Sequence, residues 1–139
     1  MYICKKENMK PQSILIYAGI LGAIAVIMGA MGAHALKTVL SPEELESFGT
    51  GARYNMYHAI MLFALAANIK NIDRKWLTIS VNLTLIGTLL FSGSIYLLST
   101  SALTGITAKS ILGPITPIGG LLLISGWISV TIGSLKAKL

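Results

Sequence analysis

The sequence predicts an all-α membrane protein, with four transmembrane helices in a compact bundle and a short amphipathic helix in the first outer loop. Three observations lead there. Of the 139 residues, 54% are hydrophobic and 12% charged, about half the charged share of a soluble domain. Mean hydropathy is +0.75. The charges are bunched between four long apolar runs, and 11 Lys/Arg with 5 Asp/Glu are too few to cover a soluble fold of this size. The whole chain, 1–139, reads as one integral membrane domain.

The first span, about 14–36, is long enough as a helix to cross a hydrocarbon core of about 30 Å. Lys5, Lys6 and Lys10 precede it, and Ala33-His34-Ala35 resembles a cleavage site. Its apolar run exceeds the roughly 7 to 15 residues of a signal peptide, so it is expected to remain as a helix. Ser41-Pro42-Glu43-Glu44 then combines an N-cap serine, a proline at the first helical position and a glutamate three residues on. That is a capping box. It opens a helix over about 42–48, with Leu45 and Phe48 on one side and Glu43, Glu44 and Glu46 largely on the other. Gly49 and Gly51 are expected to break it, leaving it on the outer membrane face.

The second span, 53–69, is short, and Arg53 is expected to snorkel outward at its start. The third covers 76–98. Thr116 and Pro117 have the form of an N-cap and first helical position for a fourth span over 117–135. Pro114 disfavours an earlier start.

Basic residues set the orientation. Lys5, Lys6, Lys10, Lys70, Arg74, Lys75, Lys136 and Lys138 fall at the two termini and the middle loop, against Lys37, Arg53 and Lys109 on the other side. This places both termini in the cytoplasm of a plasma membrane. The +6 net charge is therefore a topology signal, and nucleic acid is not expected as a partner. Cys4, the single cysteine, makes neither an internal disulfide nor a thiolate metal cage.

Helices in lipid associate through close packing of small residues. The first span carries Ala18, Gly22, Ala25, Gly29 and Gly32 at steps of four and three. The fourth carries Gly119, Gly126 and Gly133, with Ser129 on the same seam, and the third carries Ser80, Thr84, Gly87 and Ser94. These seams read as packing surfaces rather than hinges or a pore lining.

Polar groups collect at the outer ends of the spans. His34 closes the first, and Arg53, Tyr54, Tyr57 and His58 open the second. Ser92, Ser94 and Tyr96 end the third, and Thr116 opens the fourth. His34, Arg53, Tyr54, His58, Ser94, Tyr96 and Thr116 are the candidate ligand-binding residues of this layer. Arg53 offers a planar cation, and the histidines offer titratable donors for an anion or lipid headgroup. Alternatively they tie helix ends together, with Arg53 paired to the Glu43–Glu46 cluster. Asn68 and Asn82 are expected to bond across the second hairpin.

Two histidines do not make a catalytic zinc site, and the serines lack an orienting carboxylate. Hence no metal, cofactor or catalytic residue is expected. The spans contain no aspartate or glutamate, which speaks against proton- or cation-coupled transport.

Gly29-Ala30-Met31-Gly32-Ala33-His34-Ala35-Leu36-Lys37, Phe48 with Arg53-Tyr54 and Tyr57-His58-Ala59, Leu90 to Leu97, and Leu112-Gly113-Pro114 to Gly120 before Gly126-Trp127 form an ordered motif set. It resembles the YgdD/YwdK family of small membrane proteins, which has a small human transmembrane relative. The resemblance runs from about Ile14 to Leu135. It implies a four-helix integral membrane protein and supplies no catalytic residue. The expected role is that of an accessory or structural component, with lipid, other membrane proteins or further copies as partners. The rival readings are an oligomeric transporter or channel, lipid-headgroup binding at the outer layer and, last, a membrane enzyme.

Overall fold

The structure is a computed structural model that describes residues 9–107 and 109–137. Cys4, Lys5, Lys6 and Lys138 lie outside the described residues. Every regular element among the described residues is helical: α1 (Pro11–Ala33), α2 (Pro42–Ala67), α3 (Arg74–Ser99), the single turn α4 (Ser101–Thr104) and α5 (Lys109–Lys136), with a 3-10 turn over Ile69–Asn71. Three of them, α1, α3 and α5, are long and apolar enough to cross a membrane.

Helix α1 starts at a proline, whose missing N–H costs nothing in a first turn. It ends at Ala33 with His34 as its C-cap, three residues short of the expected boundary. The capping box forms as anticipated: Ser41 Oγ accepts from the Glu44 amide at 3.2 Å, and Glu44 Oε2 accepts from the Ser41 amide at 2.9 Å. The helix it opens does not stop at Gly49 or Gly51, however, and 42–48 is the start of α2 rather than a separate interfacial helix. Glycine weakens a helix interior by only about 1 kcal/mol, and tertiary packing offsets that here. A Cβ on Gly51 would come within 2.8 Å of the Tyr96 ring, so this glycine permits a close helix approach. Phe48 is buried beside it.

Asp73 caps α3 by accepting from the Lys75 and Trp76 amides at 3.1 and 3.3 Å. Gly105, at φ 68°, closes α4 in the left-handed region that glycine enters freely. Helix α5 begins at Lys109, well before Thr116, and carries both Pro114 and Pro117 inside it. Membrane helices tolerate such prolines because neighbouring helices and hydroxyls compensate for the lost backbone bonds. Thr116 is therefore not an N-cap; its hydroxyl lies 2.7 Å from that of Ser94.

The most extensive contacts join α3 to α5, followed by α1 to α2 and α2 to α3. One core cluster joins Ile14 and Ala18 of α1, Met61, Leu62, Leu65 and Ala66 of α2, and Leu77 and Val81 of α3. A second gathers Leu36, Leu40, Phe48, Ala52 and Tyr96 at the opposite end. Polarity is inverted relative to a soluble fold. Ile16, Val26, Ile27, Phe63, Leu89, Leu121 and Leu135 face outward, while Asn55, His58, Ser80, Thr84, Thr88 and Ser92 are buried.

The α2–α3 turn and the end of α5 share one end of the bundle. The Asp73 amide donates to the Gly133 carbonyl at 3.0 Å, and Lys136 Nζ sits 5.2 Å from the centre of the Trp76 ring. Met9 packs on the same core cluster as Ile69 and Ile72, which brings the start of α1 to that end too. The expected Asn68–Asn82 bond is not made. Asn68 donates to the Ala64 carbonyl at 3.0 Å and accepts from Asn71 at 3.3 Å, and Asn82 is exposed. A side chain at a helix C-cap finds its own last carbonyls closer than a partner on the next helix.

Candidate functional site

The seven outer-layer residues do not converge on one point; they fall into separate local arrangements. His34 is exposed at the end of α1. Arg53 donates to Glu46 Oε1 at 2.6 Å and to Thr50 Oγ1 at 2.9 Å, all within two turns of α2. Both ion-pair partners are solvent-facing, at 49% and 74% side-chain exposure. The pair therefore orients the guanidinium more than it stabilises the fold. A groove of about 460 Å³ runs beside it between the end of α1 and the start of α2, floored by Met28, Gly32 and Phe48 and edged by Lys37, Glu46 and Arg53.

Tyr54 and Tyr57 lie on the outer face of α2 with ring centres 5.8 Å apart. Tyr54 also packs on Phe91 at 4.8 Å and on His58 at 6.2 Å. His58, one turn further on, is 4% exposed. Its Nδ1 lies 2.7 Å from the Tyr54 carbonyl, and a carbonyl only accepts. Nδ1 therefore carries the proton, and in the neutral ring Nε2 is left as an acceptor.

Tyr96 is buried on α3, where its hydroxyl takes a long 3.5 Å bond from the Asn55 amide nitrogen. Ser94 donates to the Phe91 carbonyl at 3.0 Å, so the 2.7 Å contact with Thr116 has Thr116 as donor. Next to them a cleft of about 300 Å³ is lined by Glu43, Glu44, Ser47, Ser99 and Thr116, with Ile95 and Leu98 as its apolar side.

Beneath this layer runs a feature of which the sequence offered only parts, Ser80 and Thr84 as a packing seam and Ser92 as an outer polar group. Ser80, Thr84, Thr88 and Ser92 recur every fourth residue of α3 and are all buried. Ser80 donates to the Gly126 carbonyl of α5 at 2.9 Å, and Thr84 donates to Met61 Sδ of α2 at 3.8 Å. Thr88 Oγ1, Ser92 Oγ, Asn55 Oδ1 and His58 Nε2 have no partner among the described residues. An unpaired buried polar atom costs about 1–3 kcal/mol, and more in a hydrocarbon surrounding. Asn55 and Thr88 were missed as site candidates. The signal that would have found them is the four-residue hydroxyl spacing on α3 and the placing of Asn55 one turn before His58. Among the described residues, no group of three or more His, Cys, Asp or Glu is placed to hold a metal.

The packing glycines fall into two kinds. A Cβ on Gly126 would lie 2.9 Å from Thr84 Oγ1, on Gly133 2.7 Å from Ile72 and on Gly87 2.8 Å from Leu123. On Gly119 it would strike the Phe91 backbone, 2.8 Å from its Cα. Gly32 faces Phe48 at 3.3 Å, Gly22 meets Ala59 at an ordinary 3.9 Å, and Gly29 has nothing within 4 Å.

Long apolar helices with hydrocarbon side chains outward and hydroxyls inward define an integral membrane protein. Among such proteins, the chain belongs to the family described as "Protein of unknown function (DUF423)", whose model matches residues 28–120. It is similar to the "UPF0382 membrane protein" of Haemophilus influenzae, with 40% identity over 117 residues, 84% of this chain and 89% of the relative. It is 41% identical over 124 residues to the "UPF0382 membrane protein YwdK" of Bacillus subtilis, covering 84% of this chain and 94% of the relative. With the "UPF0382 inner membrane protein YgdD" of Escherichia coli it shares 32% identity over 130 residues, 94% of this chain and 95% of the relative. No solved structure matches the chain.

Proposed function

We propose that the protein is a four-span component of the plasma membrane that works by interaction, as an accessory or structural element. Lipid, neighbouring membrane proteins or further copies of the chain are its partners. In this reading α2 is the fourth span. It is less apolar than α1, α3 and α5 because much of it is shielded: Asn55, His58, Ala59, Met61, Leu62, Leu65 and Ala66 are buried in the bundle. Lys10, Lys70, Arg74, Lys75 and Lys136 then belong to one end, which the excess of basic residues assigns to the cytoplasm.

The observation that carries the accessory reading is the internal pairing of the outer polar groups. Arg53 is held by Glu46, and Ser94 by Thr116 and Phe91. These contacts serve as ties between and within helices, and along the helices Ile16, Val26, Phe63, Leu89 and Leu121 leave an apolar surface to a partner. Cross-linking in native membranes together with solute and ion flux in proteoliposomes tests this. The reading expects a reproducible cross-linked neighbour and flux equal to that of empty vesicles; flux above that level replaces it with transport. Green fluorescent protein fused to the C-terminus is expected to fluoresce, and alkaline phosphatase at the same position to be inactive, if that end is cytoplasmic.

One observation favours an oligomeric channel or transporter as the second reading. The buried column Ser80, Thr84, Thr88 and Ser92 spans about 18 Å of α3 at ~1.5 Å per residue, which is a large part of a bilayer core.

A further inference from the structure

On α2 and α3, four buried polar atoms have no hydrogen-bond partner among the described residues. They are Asn55 Oδ1 and His58 Nε2 on α2, and Thr88 Oγ1 and Ser92 Oγ on α3. Their residues are 2%, 4%, 2% and 1% exposed, in that order. Two contacts bracket this stretch. On one side Gly51 lies against Ile95 and Tyr96, and on the other Met61 meets Thr84. The helices therefore run antiparallel, and the register between these two points brings Asn55 level with Ser92 and His58 level with Thr88. Thr88 and Ser92 stand one and two turns beyond Thr84, on the face of α3 that meets α2.

The chemistry of the four groups is specific. His58 spends its Nδ1 proton on the Tyr54 carbonyl, so Nε2 is an acceptor. Asn55 turns its amide nitrogen to Tyr96, so its carbonyl oxygen is an acceptor as well. The two hydroxyls both give and take. None of the four supplies a fixed charge, and Arg53, the cation next along α2, is turned to Glu46. A charged guest would meet no counter-charge here, whereas a neutral guest with two or more O–H donors would satisfy both acceptors and bridge the hydroxyls.

We propose that Asn55, His58, Thr88 and Ser92 form a binding site inside the bundle for a small, uncharged, hydroxyl-bearing guest, either water or a small polyol. The site is independent of whether the protein conducts anything across the membrane.

The test is NMR of the full chain in lipid nanodiscs with ¹⁵N-labelled histidine. It reads magnetisation transfer to the His58 ring from water and, in a second sample, from added glycerol. His34, exposed at the end of α1, serves as the internal reference. Transfer to His58 is expected in the unmodified protein, with glycerol transfer marking a polyol guest and water-only transfer marking water. Thr88→Val and Ser92→Ala, made singly because each changes little bulk, are each expected to abolish the His58 signal and leave that of His34 intact. A His58 ring that receives transfer from neither probe overturns the site whichever variants fold. Transfer that persists unchanged in both variants overturns it equally.

Discussion

Where α5 meets α3, Gly119, Gly126 and Gly133 lie against Phe91, Thr84 and Trp76 so closely that an added methyl would collide. Where α1 meets α2, Gly22 makes only ordinary contact and Gly29 touches nothing, while Phe48 fills the space against Gly32. Both pairs carry small residues at helical spacing, yet only in the first does the approach leave no room for a methyl group at several of them. At its inner end the α1–α2 pair is held by Ile14 and Ala18 against Leu62, Leu65 and Ala66. At its outer end one large side chain, Phe48, fills the contact, and the groove beside Arg53 stays open. Because lipid tails compete equally well for apolar contact, the pair that approaches more closely is the better held.

The largest effect is expected from removing that outer-end side chain. Phe48→Ala, at a residue 1% exposed with its ring centre 5.0 Å from that of Tyr96, should lower stability by about 3 kcal/mol or more. Thermal unfolding in detergent measures it, and a loss below about 1 kcal/mol would show that the outer end of the α1–α2 pair does not rest on Phe48.

The glycines sharpen the contrast. Gly119→Ala is expected to cost about 1–3 kcal/mol because the Phe91 backbone has to move. Gly29→Ala should be neutral, or stabilise by up to ~1 kcal/mol through the helix-forming advantage of alanine. Equal losses from the two substitutions would erase the distinction between the pairs.

A smaller effect is expected at the start of α2. Ser41→Ala removes the acceptor of the Glu44 amide and should cost about 1 kcal/mol. Amide hydrogen exchange should quicken over the first turn of α2 and nowhere in α3 or α5. The smallest belongs to Arg53→Ala, whose ion pair with Glu46 is mostly exposed. A shift below about 0.5 kcal/mol that vanishes at high salt is expected in the same unfolding assay.

Much of the helix inventory was legible in the residues. The capping box at Ser41 and the apolar runs of α1 and α3 lead directly to observed elements. The misreadings share a cause. Gly51 and Pro114 are helix breakers only when nothing compensates for them, and whether Tyr96 packs on Gly51 is a tertiary fact. The candidate site fared similarly. Ser94, Tyr96 and Thr116 stood out as polar residues near helix ends, but their partners on other helices, among them Asn55, lie 22 to 41 residues away in sequence.

The long apolar runs of the sequence settle that this chain belongs in a membrane and that α1, α3 and α5 are helical, because a segment of that length and apolarity satisfies its backbone in a bilayer core only as a helix. Composition does not settle which face of α1 or α5 turns inward. Those helices are apolar on nearly every side, and hydrocarbon is no worse a neighbour than another leucine. Burial of Asn55, His58, Thr88 and Ser92, and the union of α3 with α5, were decided only when the helices packed. Close approach at glycine and the cost of leaving polar atoms in lipid choose among faces that hydropathy leaves equivalent.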